Sequence, residues 1–327
     1  MRNTMSTKPW DFGIHKELRM VDDKLREMVK SEEQILTDAS LHVIDAGGKR
    51  LRPTVTILAF KALGGTDIGK IVDISAGFEL IHSATLVHDD INDGGFTRRG
   101  RETVFKKYGL HDAIVTGDFL FSKAFFLGGA FDKQVVSMTA SACAQLAEGE
   151  ILQNRYRHKR NITVDTYVKV MERKTAEPIR AGAMVGAYLA GGTSEEVESL
   201  GRYGLNLGIA FQIVDDILDF SGDPKKTGKP VGTDLKEGHL TLPSLLAMKD
   251  SEDVKKALID VIEKESPSPE EVKKCASMVA DSGAIDKAKG MGEYYGMEAL
   301  QFLGCLANNA HTKSLRELVT RVLERDS

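Results

Sequence analysis

Proline is scarce in this chain, and the places where it is missing are informative. Only 8 of 327 residues are proline, and none lies between Pro53 and Pro178. A proline inside a helix removes a hydrogen bond and clashes with the preceding turn, so that stretch is free to form long helices. Cysteine is scarcer still: Cys143, Cys275 and Cys305 are odd in number, scattered and in no metal-ligand spacing. This excludes a disulfide framework or a thiolate metal site, and predicts reduced core thiols in a cytoplasmic protein. No apolar run approaches the roughly 20 residues of a membrane span. Met1 to Trp10 lack the apolar core of a signal peptide. Apolar–polar alternation long enough to insist on a sheet is absent as well. A net charge of −4 argues against nucleic acid as the main partner.

What is present is helical periodicity in a soluble-protein composition, 28% charged and 42% hydrophobic. Apolar residues at three- and four-residue spacing predict a helix over Leu18 to Val43, stopped by Gly47-Gly48. Another starts near Pro53, a residue favoured in first helical turns. Further helices are expected over 68–91, 113–129, 135–157, 164–174, 176–189 and 195–220, followed by several amphipathic ones from Asp253 to Leu323. Gly222 to Pro230 reads as a basic, turn-rich loop. The expected fold is all-α, one domain spanning residues 1–327.

Two stretches of these helices carry the same costly pattern, Asp89-Asp90-Ile91-Asn92-Asp93 and Asp215-Asp216-Ile217-Leu218-Asp219. Positions i and i+4 share a helix face, so Asp89 points with Asp93 and Asp215 with Asp219. Carboxylates on an apolar helix repel one another and resist desolvation. Hard cations relieve both problems, and Mg²⁺ prefers oxygen ligands and shares its shell with substrate phosphates. Two such helices facing each other would hold Mg²⁺ around a diphosphate. Positive charge lies close to both in sequence. Lys49, Arg50 and Arg52 enter a helix beside Gly47-Gly48, Arg98-Arg99 follow the first set, and Lys229 follows the second. Lys174-Thr175 sit where two helical segments meet. Guanidinium forks and helix N-termini suit phosphate oxygens.

The motifs Gly47-Gly48-Lys49-Arg50-Leu51-Arg52-Pro53, Leu86-Val87-His88-Asp89-Asp90-Ile91-Asn92-Asp93 with Thr97-Arg98-Arg99-Gly100, Gly117-Asp118, Lys174-Thr175-Ala176 and Phe211 to Phe220 resemble the trans-isoprenyl diphosphate synthases, the polyprenyl synthetase family. Gly228-Lys229-Pro230 and Thr241-Leu242-Pro243 extend the likeness, which covers roughly residues 40 to 245. The resemblance implies the isoprenoid synthase type I fold, long, mostly antiparallel helices around a central apolar cavity. It also implies a homodimer that elongates an allylic diphosphate with isopentenyl diphosphate, using about three Mg²⁺ per site.

By the same resemblance Asp89, Asp93, Asp215 and Asp219 hold the metal. Asp90, Asp216, Arg98, Lys174 and Lys229 act with them on the departing diphosphate. Gly48, Lys49, Arg52, His82 and Arg99 hold isopentenyl diphosphate. Thr175 and Gln212 supply uncharged oxygen dipoles that stabilise an allylic cation without capturing it. The helix below Asp89 acts as a ruler, each turn of about 5.4 Å matching one isoprene unit. Ala84 and Thr85 are small and leave the first floor open, with Ile81 and then Phe78 further down, so a product of about C20 or longer is expected. His88 reads as a packing residue, Phe125, Phe126 and Phe131 as core, Asp118 as structural, and Glu150 with Arg155 to Arg160 as a solvated helix end. His239 stands where the family often has lysine, with activity expected to fall above its pKa. Rival readings are a class I terpene cyclase and a non-catalytic regulatory subunit of a prenyl synthase.

Overall fold

The structure is a computed structural model that describes residues 12–222 and 230–325. The first eleven residues and the basic loop that includes Lys229 therefore lie outside the described residues, apart from Gly222 and Pro230 at the loop's ends. Described residues are almost wholly helical, as the periodicity predicts, and group into two compact units. One comprises Met1–Ser141, Pro178–Gly204 and Phe302–Arg321, the other Ala142–Glu177, Leu205–Gln301 and Val322–Ser327.

In chain order, helices α1 (His15–Met28), α2 (Gln34–Ile44), α3 (Leu51–Ala62) and α4 (Ile68–Asn92) come first. The single helix expected over 18–43 is in fact two. Lys30 to Glu33 are four consecutive polar residues, and there Thr37 Oγ1 accepts the Ser31 N–H at 3.0 Å while Ser31 Oγ accepts the Glu33 N–H at 3.2 Å. Side chains that satisfy backbone donors in this way compete with helix continuation. Helix α4 is apolar on nearly every face and is buried along most of its length, from Ile71 to Val87. Its start is capped by Asp67, which accepts the Lys70 N–H at 3.1 Å. It stops where the sequence reading placed its end, at Gly94, whose φ is 64°.

Strands β1 (Thr97–Arg98) and β2 (Arg101–Glu102) form an antiparallel hairpin that no alternation could announce, being two residues long each. After α5 (Val104–Tyr108) and α6 (Leu110–Gly128), α4 packs extensively along α6. Helix α6 overturns one expectation, because Phe125 and Phe126 are 60% and 74% exposed. Then come α7 (Lys133–Arg155), α8 (Val164–Met171), a π-helical turn at Glu172–Ala176, α9 (Glu177–Leu189) and α10 (Ser194–Ser221). Among the thiols, Cys275 is buried and held up at about 11 by that burial, Cys143 is half-buried, and Cys305 is exposed rather than core.

The core of the second unit joins Ile213, Ile217 and Phe220 of α10 to Tyr167 of α8 and to Leu242, Leu258 and Val279 of the later helices. Within the first unit, α9 runs against α3 at glycine contact. A Cβ on Gly186 would lie 2.3 Å from the Thr56 carbonyl and 3.2 Å from the Phe60 nitrogen, both backbone atoms that cannot swing away. Gly186→Ala is therefore expected to lower stability by about 1–3 kcal/mol. A urea titration should show the midpoint falling at unchanged slope.

Candidate active site

In the first unit, the acidic end of α4 separates its three carboxylates. Asp89 and Asp93 are half-buried, one turn apart, with the Asp93 N–H closing on the Asp89 carbonyl at 2.9 Å. Asp90 turns the other way and is only 7% exposed. Its Oδ1 accepts Arg98 Nε at 2.8 Å. Arg98, which the sequence reading gives to the departing diphosphate, is thus engaged with Asp90, and Asp90 is tied to the hairpin.

Left-handed backbone shapes the basic side. Gly47 and Gly48 have φ of 81° and 145°, and Arg50 and Arg99, which are not glycine, both sit at 51°. The Arg99 guanidinium donates to the Gly47 carbonyl and lies over Gly48, where a Cβ would be 2.9 Å from Nη1. Gly48 is therefore the floor on which Arg99 rests. Arg50 departs from the expectation that it joins the cations at the helix entry. It is 7% exposed and points inward, to Asp22 at 2.9 Å, Glu79 at 2.6 Å and the Ile44 carbonyl at 3.1 Å. Arg52, the second residue of α3, feels the charges of Glu79, Asp89 and Arg99. Half-buried His82 on α4 is held well below the ordinary imidazole value, first by burial and then by the fields of Arg52, Arg99, Arg98 and Arg50. His82 is consequently a neutral ring among guanidinium groups. Arg52, His82 and Arg99, named from motifs far apart in sequence, come together with Gly48. Lys49 is half-buried between them in sequence.

Of two neighbours, one is a packing feature. His88 lies against Gly117, where a Cβ would meet Nε2 at 2.1 Å, in keeping with its packing role. Asp118 is exposed, 3.7 Å from His88 Nε2, and not a buried cap. On α4 below the aspartates, Ala84, Ile81 and Phe78 are buried, and half-buried Thr85 donates to the His82 carbonyl at 2.8 Å.

In the second unit the acidic end of α10 repeats the division. Asp216 is 3% exposed and accepts Tyr167 Oη at 2.5 Å and Gln212 Nε2 at 2.8 Å. Thr175 Oγ1 in turn donates to Gln212 Oε1 at 3.0 Å. Burial, then the charges of Asp234 and Asp215, push the Asp216 carboxyl well above its usual range. Asp219 accepts the N–H groups of Thr233 at 3.0 Å and Asp234 at 3.1 Å. Asp215 is the exposed member and pairs with Arg325 at 3.1 Å. Lys174 stands on the π-helical turn, close to α7 because Gly149 has no side chain; a Cβ there would lie 2.7 Å from the Lys174 nitrogen. Its ammonium donates to Gln153 at 2.7 Å and pairs with Glu150, which is half-buried rather than part of a solvated helix end. Arg157 and His158 likewise reach the Glu237 and Ile262 carbonyls. Lys229 lies outside the described residues.

Tyr167, Gln153 and Arg325 escaped sequence reasoning. Tyr167 sits at an apolar-face position where a tyrosine looks like core, and no local signal marks a residue next to the chain end. As for metal, no group of three or more His, Cys, Asp or Glu side chains is gathered at one point among the described residues. Each acidic set instead offers two hard oxygen groups one helical turn apart, a donor set that suits Mg²⁺ completed by phosphate oxygens.

A family model for polyprenyl synthetase matches residues 33–279. The chain belongs to that family. As a member it is a prenyltransferase and an enzyme of isoprenoid biosynthesis. Heptaprenyl diphosphate synthase component 2 of Geobacillus stearothermophilus is 36% identical over 98% of this chain and 100% of its own length. Geranylfarnesyl diphosphate synthase of Aeropyrum pernix is 35% identical over 92% of this chain and 97% of its own. Among solved structures, a polyprenyl synthase from Caulobacter crescentus, complexed with calcium and isoprenyl diphosphate, superposes with a TM-score of 0.92 at 32% identity, with complete coverage of both chains.

Two measurements check this site. Arg50→Ala leaves Glu79 buried without its cation and should destabilise the enzyme by about 3–5 kcal/mol in chemical denaturation. His239 is held down to about 3, by burial first and then by Arg157, Lys174 and His158, so it is neutral at working pH and the expected loss of activity above its pKa falls outside that range. Its depressed value has a sign: below about 6.5 the unfolded chain takes up a proton the folded one refuses, and stability falls with pH. Wild type should lose up to about 2 kcal/mol more than His239→Gln between pH 7.5 and pH 5.

Proposed function

We propose that the enzyme condenses isopentenyl diphosphate head to tail with an allylic diphosphate, with Mg²⁺, and releases inorganic diphosphate. The observation that supports it best is the grouping of Arg52, neutral His82 and Arg99 in one another's fields, with Arg99 over Gly48 and Arg52 in the field of Asp89. That is an anion site additional to two acidic sets, and a cyclase working on one diphosphate has no need of it. Both acidic sets are intact, which speaks against a regulatory subunit that has lost one.

Bound Mg²⁺, held by Asp89, Asp93, Asp215 and Asp219, would neutralise the diphosphate as its C–O bond breaks. Asp90 and Asp216 act through position: each is buried and hydrogen-bonded, fixing the faces that carry the outer aspartates. Lys174 and Lys229 bind the allylic diphosphate as point charges. Lys49, Arg52, Arg99 and an N–H of His82 hold isopentenyl diphosphate with its double bond toward the allylic carbon. Thr175 and Gln212 present oxygen dipoles to the developing allylic cation, and their mutual hydrogen bond fixes both. The alkene closes the new C–C bond, and the proton it sheds goes to the departed diphosphate, so no protein base is required. Apolar walls keep out water that would quench the cation.

Incubation with labelled isopentenyl diphosphate, Mg²⁺ and dimethylallyl, geranyl or farnesyl diphosphate should give elongated products of about C20 or longer. No elongation of any primer defeats the proposal. Ala84→Phe should shorten the longest product by at least one isoprene unit. An unchanged product ladder from a variant that still unfolds cooperatively would rule out the α4 ruler.

The oligomer proposed is a homodimer. Leu110, Ile114, Val115, Phe125 and Phe126 leave α6 with an apolar face that a lone molecule would hold in water. Sedimentation of the purified chain at twice 35.8 kDa, lost in Phe126→Glu, is expected. A stable monomer that becomes active only on adding a second polypeptide would favour the two-component arrangement suggested by the Geobacillus relative's name.

A further inference from the structure

Arg325, two residues past the last helix (Ala310–Leu323), lies on the second acidic set. Arg325 is 4% exposed at its side chain and pairs with Asp215 Oδ1 at 3.1 Å. One of its nitrogens donates to the Phe211 carbonyl at 2.5 Å, and the guanidinium carbon stands 3.9 Å from the centre of the Phe211 ring. These three contacts fall on one face of α10, one turn apart, and end on the most exposed of its three aspartates. The fit is incomplete. Arg325 Nε and Nη1 have no hydrogen-bond partner among the described residues, although they are buried. A buried donor left unsatisfied costs free energy, so the docked guanidinium is held less firmly than its burial suggests.

We propose that Arg325 is a positioning residue of the metal site, a resident counter-ion that neutralises Asp215 until Mg²⁺ takes its place. This rests on the reading of Asp215 as a metal ligand. The physical argument is one of exclusive occupancy. Asp216 is buried and accepts Tyr167 and Gln212, and Asp219 accepts two backbone N–H groups, whereas exposed Asp215 is met by the Arg325 guanidinium. A guanidinium and a metal ion compete for the same carboxylate charge, and Arg325, which lies past the last helix, can move away while Asp215 stays fixed on α10. Release of Arg325 returns its unsatisfied nitrogens to water and frees the aspartate for metal. The metal and Arg325 therefore bind in opposition.

The test is Mn²⁺ binding to the intact protein, followed by titration calorimetry and by the electron paramagnetic resonance of free Mn²⁺, without substrate. Wild type is compared with Arg325→Ala, Arg325→Lys, Asp215→Asn and, as a control for charge removed nearby on the last helix, Arg321→Ala, whose partner Glu317 is at the surface. Arg325→Ala should tighten Mn²⁺ binding by about three- to tenfold, the size expected when one charge-assisted contact stops competing. Arg325→Lys should stay within about twofold of wild type because the charge is kept, and Arg321→Ala should bind like wild type. Circular dichroism shows whether each variant is folded. Binding that is unchanged or weaker in folded Arg325→Ala, or undetectable in every form, overturns the inference. If Asp215→Asn loses affinity in that experiment, the metal reading stands and the competition alone fails. If Asp215→Asn binds like wild type, the metal reading of Asp215 has failed first.

Discussion

The ion pair between Arg50 and Glu79 is the constraint on which the basic loop of the first unit depends. Glu79 is fixed on a helix buried along most of its length, so a cation that answers it from another segment must come to a defined place. Arg50 does so from a left-handed position just after Gly47-Gly48, and Asp22 secures its other edge. The loop is pinned from within, and what it presents outward follows: Gly48 as a bare surface for Arg99, and Arg52 in the first turn of α3. A guanidinium that looks like a ligand contact in the sequence is instead the anchor of the loop.

The two acidic sets solve a shared problem in the same way. Three carboxylates cannot all face one cavity on an apolar helix without a large cost in repulsion and lost hydration. In each set the middle aspartate is turned into protein and given a partner, Arg98 for Asp90, and Tyr167 with Gln212 for Asp216. The outer pair is left one turn apart on a single face. The repeated spacing is thus a repeated division of labour, with one buried member fixing the helix rotation that aims the other two.

Much of this was legible in the sequence, and the reasons are physical. A long apolar helix with acids at its end is written in spacing alone, and α4 and α10 were read within a residue or two at most ends. Arg52, His82 and Arg99 stand in motifs far apart in sequence, and His82 does lie in the fields of both arginines. Illegible were the features that depend on a backbone angle or a distant partner. The φ of 51° that turns Arg50 inward has no signature in an arginine. The partner of Asp216 is 49 residues away and that of Phe211 is 114. The break between α1 and α2 was missed because polar residues interrupt the apolar period without any glycine or proline. Phe125 and Phe126 were placed inside by hydrophobicity alone, which cannot tell a core from a face awaiting another protein.

The wide turn at Glu172–Ala176 has a consequence for how this enzyme can vary. Its closing bond runs from the Glu177 N–H to the Glu172 carbonyl, five residues back instead of four, so the turn accommodates one residue more than an ordinary coil would. That surplus residue offsets the azimuth of everything after it by roughly 100° relative to a continuous coil. A deletion of a single codon here would heal the backbone into regular geometry, and the protein would keep its helices while Lys174 and Thr175 swung to the wrong meridian. Length in this segment is therefore held more tightly than composition.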